Sequence, residues 1–277
     1  MGGAVALAGV APWSAFVLLN QKCWTTVPWA IVPTSLWLWL LWKWLGGAGW
    51  PRSTSAARRE LRRANGGAPD AFGMAIVAGL IGFAALVPFT MLLSRLVTLN
   101  EARSLGIPPT MPAITTFLLL VMASIVAGLT EETAFRGYLQ VPIERRHGPA
   151  VAIAVTGMLF GLAHFTHHPG AAVLGMLPFY MFVSAVYGMM AWCTNSIVPG
   201  IILHAGGDVF TFTRLWATGQ GEWQLTAAAP KLIWETGPDG AFWGALAAFI
   251  ALGAAATWMF ATLAKGTALG SSAATTG

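Results

Sequence analysis

Three short stretches of this chain set ionisable side chains at one-turn helical spacing, and together they hold the residue types of a hydrolytic centre. The first, IVAGLTEETAFRGYLQ, contains Glu131, Glu132 and Arg136. Glu132 and Arg136 stand four apart with the acid N-terminal to the base, the favourable order for an ion pair on one helix face. Glu131 then lies about 100° around the helix without a partner of its own, and a lone carboxylate in an apolar setting is suited to general-base work. The second stretch, AVTGMLFGLAHFTHHPG, places Phe160 and His164 four apart. The third, SIVPGIILHAGGDVF, does the same with His204 and Asp208. Converging in one wet cavity, Glu131 would take a proton from water, while the two imidazoles and Asp208 would hold a metal, the water or the developing oxyanion. His147, next to Arg145 and Arg146, reads as loop surface, and His167 and His168, beside Pro169 and Gly170, read as a solvated loop.

The elements that position these groups are expected to be membrane helices. The 277 residues are 56% apolar and only 9% charged, where a soluble domain carries roughly 25% charge, and the mean hydropathy is +0.68. A helix needs about 20 apolar residues to cross the hydrocarbon layer. Cutting the chain where charge, Gly and Pro cluster predicts eight spans, at 4–20, 27–45, 71–99, 113–140, 149–165, 171–193, 196–212 and 240–264. The fold class is therefore all-α, a polytopic bundle of about eight transmembrane helices. It forms one domain over residues 1–265 with its core at about 113–212, followed by a disordered tail at 266–277. Ionisable groups inside such spans are costly unless paired or wetted, which is why the three motifs stand out. Small residues four apart, Ala75 with Gly79, Ala78 with Gly82, and Gly157 with Gly161, suit close helix approach in lipid.

Charge orients the bundle. The loop PRSTSAARRELRRANGGAPD carries Arg52, Arg58, Arg59, Arg62 and Arg63 and is expected to be cytoplasmic. With eight spans both termini fall on that side, as do Arg145, Arg146, Lys43 and Lys265. Lys22, Arg95, Arg103, Arg214 and Lys231 fall on the other. The tryptophans of WLWLLWKWLGGAGW suit an interfacial belt. The net charge of +5, concentrated beside the bilayer, points to anionic lipid headgroups rather than nucleic acid. A disulfide scaffold is excluded, because the two cysteines, Cys23 and Cys193, are expected on opposite faces. Counted from the ends of their spans, Glu131 and His204 sit some 12 to 14 Å from the inner face, and His164 roughly 22 Å from it. A shared site therefore requires a shifted or tilted fifth helix.

The three motifs resemble the CPBP intramembrane proteases, the family of CAAX-prenyl endopeptidases and bacteriocin-processing proteins. Its pattern of Glu-Glu-x-x-x-Arg, Phe-x-x-x-His and His-x-x-x-Asn/Asp reads here as Glu131, Glu132 and Arg136, then Phe160 and His164, then His204 and Asp208. The likeness covers roughly 113–212, and the first two spans and the last carry no motif. It implies a multi-pass protease of a bacterial cell membrane that hydrolyses a membrane-associated protein or peptide, prenylated or not. Glu131 would be the base, Glu132 and Arg136 the supporting pair, and His164 and His204 the stabilisers of water and oxyanion. It implies either a divalent metal such as zinc, held by His164, His204 and Asp208 in a three-ligand site with an open position, or hydrolysis driven by the glutamate alone; the Asp at 208, where prenyl-protein proteases carry Asn, leans the reading slightly toward the metal. The rival reading is a proton-coupled transporter or a non-catalytic scaffold, since buried Glu, Arg and His also mark ion pathways. The paired halves of a transporter are not evident in the sequence. The motifs Gly-x-Ser-Gly and His-Glu-x-x-His of other intramembrane proteases are absent from it.

Overall fold

The computed structural model describes residues 2–98, 105–164, 172–220 and 230–274. Within them the chain is helical throughout: α1 (Gly2–Lys22), α2 (Ile31–Leu45), α3 (Ser55–Arg62), α4 (Pro69–Leu96), α5 (Ala113–Glu131), a π-helical segment (Glu132–Leu139), α6 (Gln140–Ala163), α7 (Ala172–Thr194), α8 (Val198–Thr218), the single turn α9 (Ile233–Thr236) and α10 (Gly240–Ala274). Five helical stretches are long and apolar enough to cross a membrane: Gly2–Lys22, Pro69–Leu96, Ala113–Ala163, Gly175–Thr194 and Gly240–Gly266. The expected all-α membrane bundle is what folds. Two of the eight expected spans, 27–45 and 196–212, are not among these five. That at 27–45 is the 15-residue α2, and that at 196–212 is α8, which carries His204, Asp208 and Arg214. At the C-terminus α10 runs from Gly240 to Ala274. His167, His168 and Arg103 lie outside the described residues.

The stretch from Ala113 to Ala163 folds back on itself. Gly148 takes φ 82° and ψ 169°, a left-handed backbone open to glycine and strained for other residues, and Pro149 starts the returning limb. Ring contacts set the register of the two limbs. Phe135 lies edge-on to Phe160 at 5.1 Å between centroids, and the Arg136 guanidinium sits 4.8 Å from the Phe160 ring. Arg136 is twelve residues before Gly148 and Phe160 twelve after it. By the same symmetry His164, sixteen residues past the turn, comes level with Glu132, sixteen before it. The helix bearing Glu131 runs on to the turn at Gly148 rather than ending near Gln140, so the two limbs are in register when counted from that turn.

Small residues let the helices close up. A Cβ on Gly79 would come within 2.6 Å of Leu203 and 2.8 Å of the Met190 sulfur, and one on Gly82 within 2.9 Å of Val186. Gly161 is as tightly met by Leu177, at 2.5 Å. These seat α4 on α7 and α8, and α6 on α7, around a core that includes Ala75, Ala78, Val186, Tyr187, Met190 and Phe260. Close packing of this kind replaces hydrophobic driving force in lipid. The first helix, which carries no motif, also has a place here. Gly9 abuts Thr130, and a Cβ on Gly2 would lie 2.8 Å from the Ala134 carbonyl, so α1 braces the backbone on both sides of Glu131.

Between α5 and α8 the approach is backbone to backbone, since a Cβ on Gly128 would fall 3.0 Å from the Ala205 nitrogen and 3.1 Å from the Ile201 carbonyl oxygen. Neither helix can yield by a side-chain rotation. Gly128→Ala is expected to lower stability by about 1 to 3 kcal/mol, the usual cost of overpacking, and to reduce activity by parting the two helices that carry Glu131 and His204. Thermal unfolding and turnover of the purified variant check this.

The arginine loop, the turn between the two limbs and the α7–α8 connection lie at one end of the bundle. Arg63 pairs with Glu144, Arg145 with Glu60, and Asn65 hydrogen-bonds the Asn195 carbonyl. At that end Arg58 lies over Trp44 and Arg62 over Trp42, each 4.4 Å from the ring. Arg58 also donates to the carbonyls of Trp44, Ala48, Gly49 and Pro51. Two of the five tryptophans of the expected interfacial belt are therefore tied into the loop rather than presented only to lipid. At the other end Arg95 pairs with Asp239, and that hydrogen bond holds the exposed Asp239 carboxyl below the usual carboxylate range. Both cysteines are free, Cys23 exposed and Cys193 buried.

Candidate active site

The centre is built around one imidazole. His204, buried on α8, has Nδ1 2.9 Å from Oε1 of Glu132, and the same oxygen lies 3.1 Å from Nη1 of Arg136. Glu132 and Arg136 are both fully buried. Paired with a guanidinium, the carboxylate acts as acceptor, so His204 donates through Nδ1. That leaves Nε2 as the ring atom facing the other two acids. Glu131 Oε2 lies 3.9 Å from it and Asp208 Oδ2 3.7 Å. These separations exceed a direct hydrogen bond and suit a water between the groups. The Glu131 and Asp208 side chains are 21% and 24% exposed, against 0% for Glu132, so the accessible side of the imidazole is the side bearing these two carboxylates.

Local structure explains the division of labour between the adjacent glutamates. The helix changes from α to π at Glu132, a change that often marks functional positions and alters the angular step between neighbours. Glu132 still reaches Arg136 four residues on, as its spacing predicts, while Glu131 faces the Nε2 side. The expectation that Glu131 lacks a partner is thus corrected, because it shares His204 with Asp208. Gly200 is required opposite, since a Cβ there would stand 2.8 Å from Glu132 Oε2.

Arg136 occupies an aromatic and polar socket. Its guanidinium is 4.8 Å from the Phe160 ring and 5.0 Å from the Tyr187 ring, and Nη2 donates to the Ser184 hydroxyl at 3.0 Å. Tyr187 stacks on His204 at 4.8 Å between centroids, and Tyr180 stacks on His164 at 4.3 Å. Phe160 touches His164 at 4.5 Å, and its carbonyl oxygen accepts from His164 Nδ1 at 2.8 Å. Arg136 therefore joins the two histidines through two rings. Tyr180, Ser184 and Tyr187 escaped the sequence reading, although they fall at i, i+4 and i+7 of α7 and include two of the three tyrosines in the chain. That spacing on an otherwise apolar helix was the available signal.

Of the six expected site residues, Glu131, Glu132, Arg136, His204 and Asp208 surround one another, and His164 stands beyond Phe160. Among the described residues no three His, Cys, Asp or Glu side chains form a group that could hold a metal ion. Of the residues expected to hold zinc, His204 and Asp208 adjoin on α8, and His164 on the returning limb packs against the rings of Phe160 and Tyr180.

Residues 113–210 match the sequence model of a family described as type II CAAX prenyl endopeptidase Rce1-like. The matched stretch starts with the first residue of α5 and ends just past Asp208, so all three motifs lie within it. No curated protein and no solved structure matches the chain.

Proposed function

We propose that this chain, a member of the CPBP family of intramembrane proteases by its residues 113–210, is an endopeptidase that cuts a membrane-associated polypeptide with water activated by Glu131. The observation that carries the reading is the two-sided use of His204, with Nδ1 committed to the buried Glu132 and Arg136 pair and Nε2 turned to the accessible Glu131 and Asp208. A water about 2.8 Å from each of these groups would be held for attack. Glu131 takes its proton as the oxygen bonds to the scissile carbonyl carbon, and His204, protonated on both ring nitrogens among its three carboxylates, donates through Nε2 to the water and then to the oxyanion. Glu131 then returns the proton to the leaving amine as the C–N bond breaks. Glu132 and Arg136 keep the His204 ring in one orientation. No step needs an ion.

The family description names a prenyl endopeptidase, and the proposed substrate is accordingly a polypeptide anchored by a lipid chain near its cleavage site. Comparing kcat/KM for one peptide with and without a farnesyl group, in the same liposomes, tests this. A higher value for the farnesylated form supports it, and equal values remove the lipid requirement. Asp208 separates the proposed mechanism from a metal-dependent one. As an acceptor for the second hydrogen of the water, its role can be filled by an amide oxygen, so Asp208→Asn is expected to keep activity within about tenfold of wild type, a loss no larger than one hydrogen bond. A loss as complete as that of a Glu131 variant, reversed by added zinc, contradicts it.

A further inference from the structure

We infer that Arg63, outside the three motifs, is a positioning residue that holds the π-helical segment against the start of α8 so that Glu132 meets His204. The inference rests on the catalytic reading above. Arg63 follows α3 with φ 52°, a left-handed conformation uncommon for a residue with a side chain, and its buried guanidinium reaches three parts of the chain. Nη1 and Nη2 donate to the two carboxylate oxygens of Glu144 at 2.7 and 3.1 Å, the bidentate fork that gives Arg pairs their directionality. Nε donates to Asn195 Oδ1 at 3.3 Å, and Nη1 approaches the Arg136 carbonyl oxygen at 3.5 Å. Its own carbonyl accepts from the Ile197 amide at 2.9 Å. The next two residues continue the seam. Ala64 forms an antiparallel bridge with Ser196, Asn65 Nδ2 donates to the Asn195 carbonyl at 2.8 Å, and Ser196 Oγ donates to the Asn65 carbonyl at 2.8 Å. On the other flank, the Leu61 carbonyl rests against Gly137 where no Cβ would fit.

Residues 61–65 therefore bind two pieces of chain whose spacing sets the site. One carries Glu132 and Arg136. The other leads from Ile197 to Gly200, which abuts Glu132, and to His204. Arg63 touches none of the proposed reacting groups, so its effect is exerted through the separation of these two pieces. A displacement on the order of 1 Å at such a site can cost about a hundredfold in rate.

The test uses the full-length protein with Arg63→Lys, which keeps the charge and loses the fork, and Glu144→Gln, which keeps one acceptor. Two readouts are taken: kcat and KM for peptide cleavage, and the ¹⁵N resonances of the His204 ring, assigned with His204→Gln. The expected result is a fall in kcat of about 10- to 100-fold with KM within about twofold, together with a shifted Nδ1 resonance that reports a lengthened bond to Glu132. Unchanged kcat and an unchanged Nδ1 resonance overturn the inference, even if the melting temperature falls. Should Arg63→Lys not fold, Glu144→Gln decides alone on the same criteria. Should the wild type cleave no peptide, the catalytic reading fails, and the resonance still decides whether Arg63 holds Glu132 to His204.

Discussion

Replacing Glu131 with Gln is expected to lower kcat by about 10² to 10⁴, the usual contribution of a general base, while the melting temperature stays close to that of the wild type. The two halves of this expectation have separate causes. Gln has nearly the shape of Glu but cannot accept the water's proton. Glu131 is partly exposed, and its contact with His204 is a long one at 3.9 Å, so its removal leaves no buried charge stranded. Turnover and thermal unfolding of the same preparation distinguish this from a structural role, which would lower both together.

The neighbouring glutamate is expected to behave in the opposite way. Glu132 and Arg136 have no exposed surface, and removing one partner of a buried pair strands the other, at a cost of about 3 to 5 kcal/mol. Glu132→Ala leaves Arg136 without its counter-charge and His204 Nδ1 without an acceptor. Arg136→Ala leaves the carboxylate stranded and empties the socket formed by Phe160, Tyr187 and Ser184. Each single change is expected to lower the melting temperature by on the order of 10 °C. The double change Glu132→Gln with Arg136→Met removes both charges and keeps most of the volume. It is expected to be more stable than either single variant and slower than the wild type, because a neutral amide oxygen holds the His204 ring less firmly than the buried carboxylate does. A double variant as unstable as the sum of the singles contradicts this account of the pair.

Helix type and two one-turn pairs were legible in the sequence for a physical reason: a charge in an apolar span costs so much that it must be paired, and pairing on a helix leaves the spacing seen for Glu132 with Arg136 and for His204 with Asp208. The same reasoning could not see the π-helical segment, whose extra residue per turn leaves no mark in hydropathy. It also ended the fourth span at Gln140, where polar residues begin, although the helix continues to Gly148. Counted from the Gly148 turn, His164 comes level with Glu132. The supporting face of α7 was missed because Tyr180, Ser184 and Tyr187 carry no formal charge and pass for ordinary apolar packing. Arg63 was read only as one of five arginines setting orientation, since its neighbours Glu144 and Asn195 are distant in sequence and only the fold brings them together.

The central claim is that Glu131, held on the open side of His204, activates water to cut a peptide bond. Its most direct test is to reconstitute the wild type and Glu131→Gln in liposomes with membrane proteins of the expression host, and to compare the resulting peptides by mass spectrometry. The account predicts new C-terminal carboxylates, each paired with a new N-terminus, in the wild-type sample and none in the variant. The same new termini in both samples, or none in either, would contradict it.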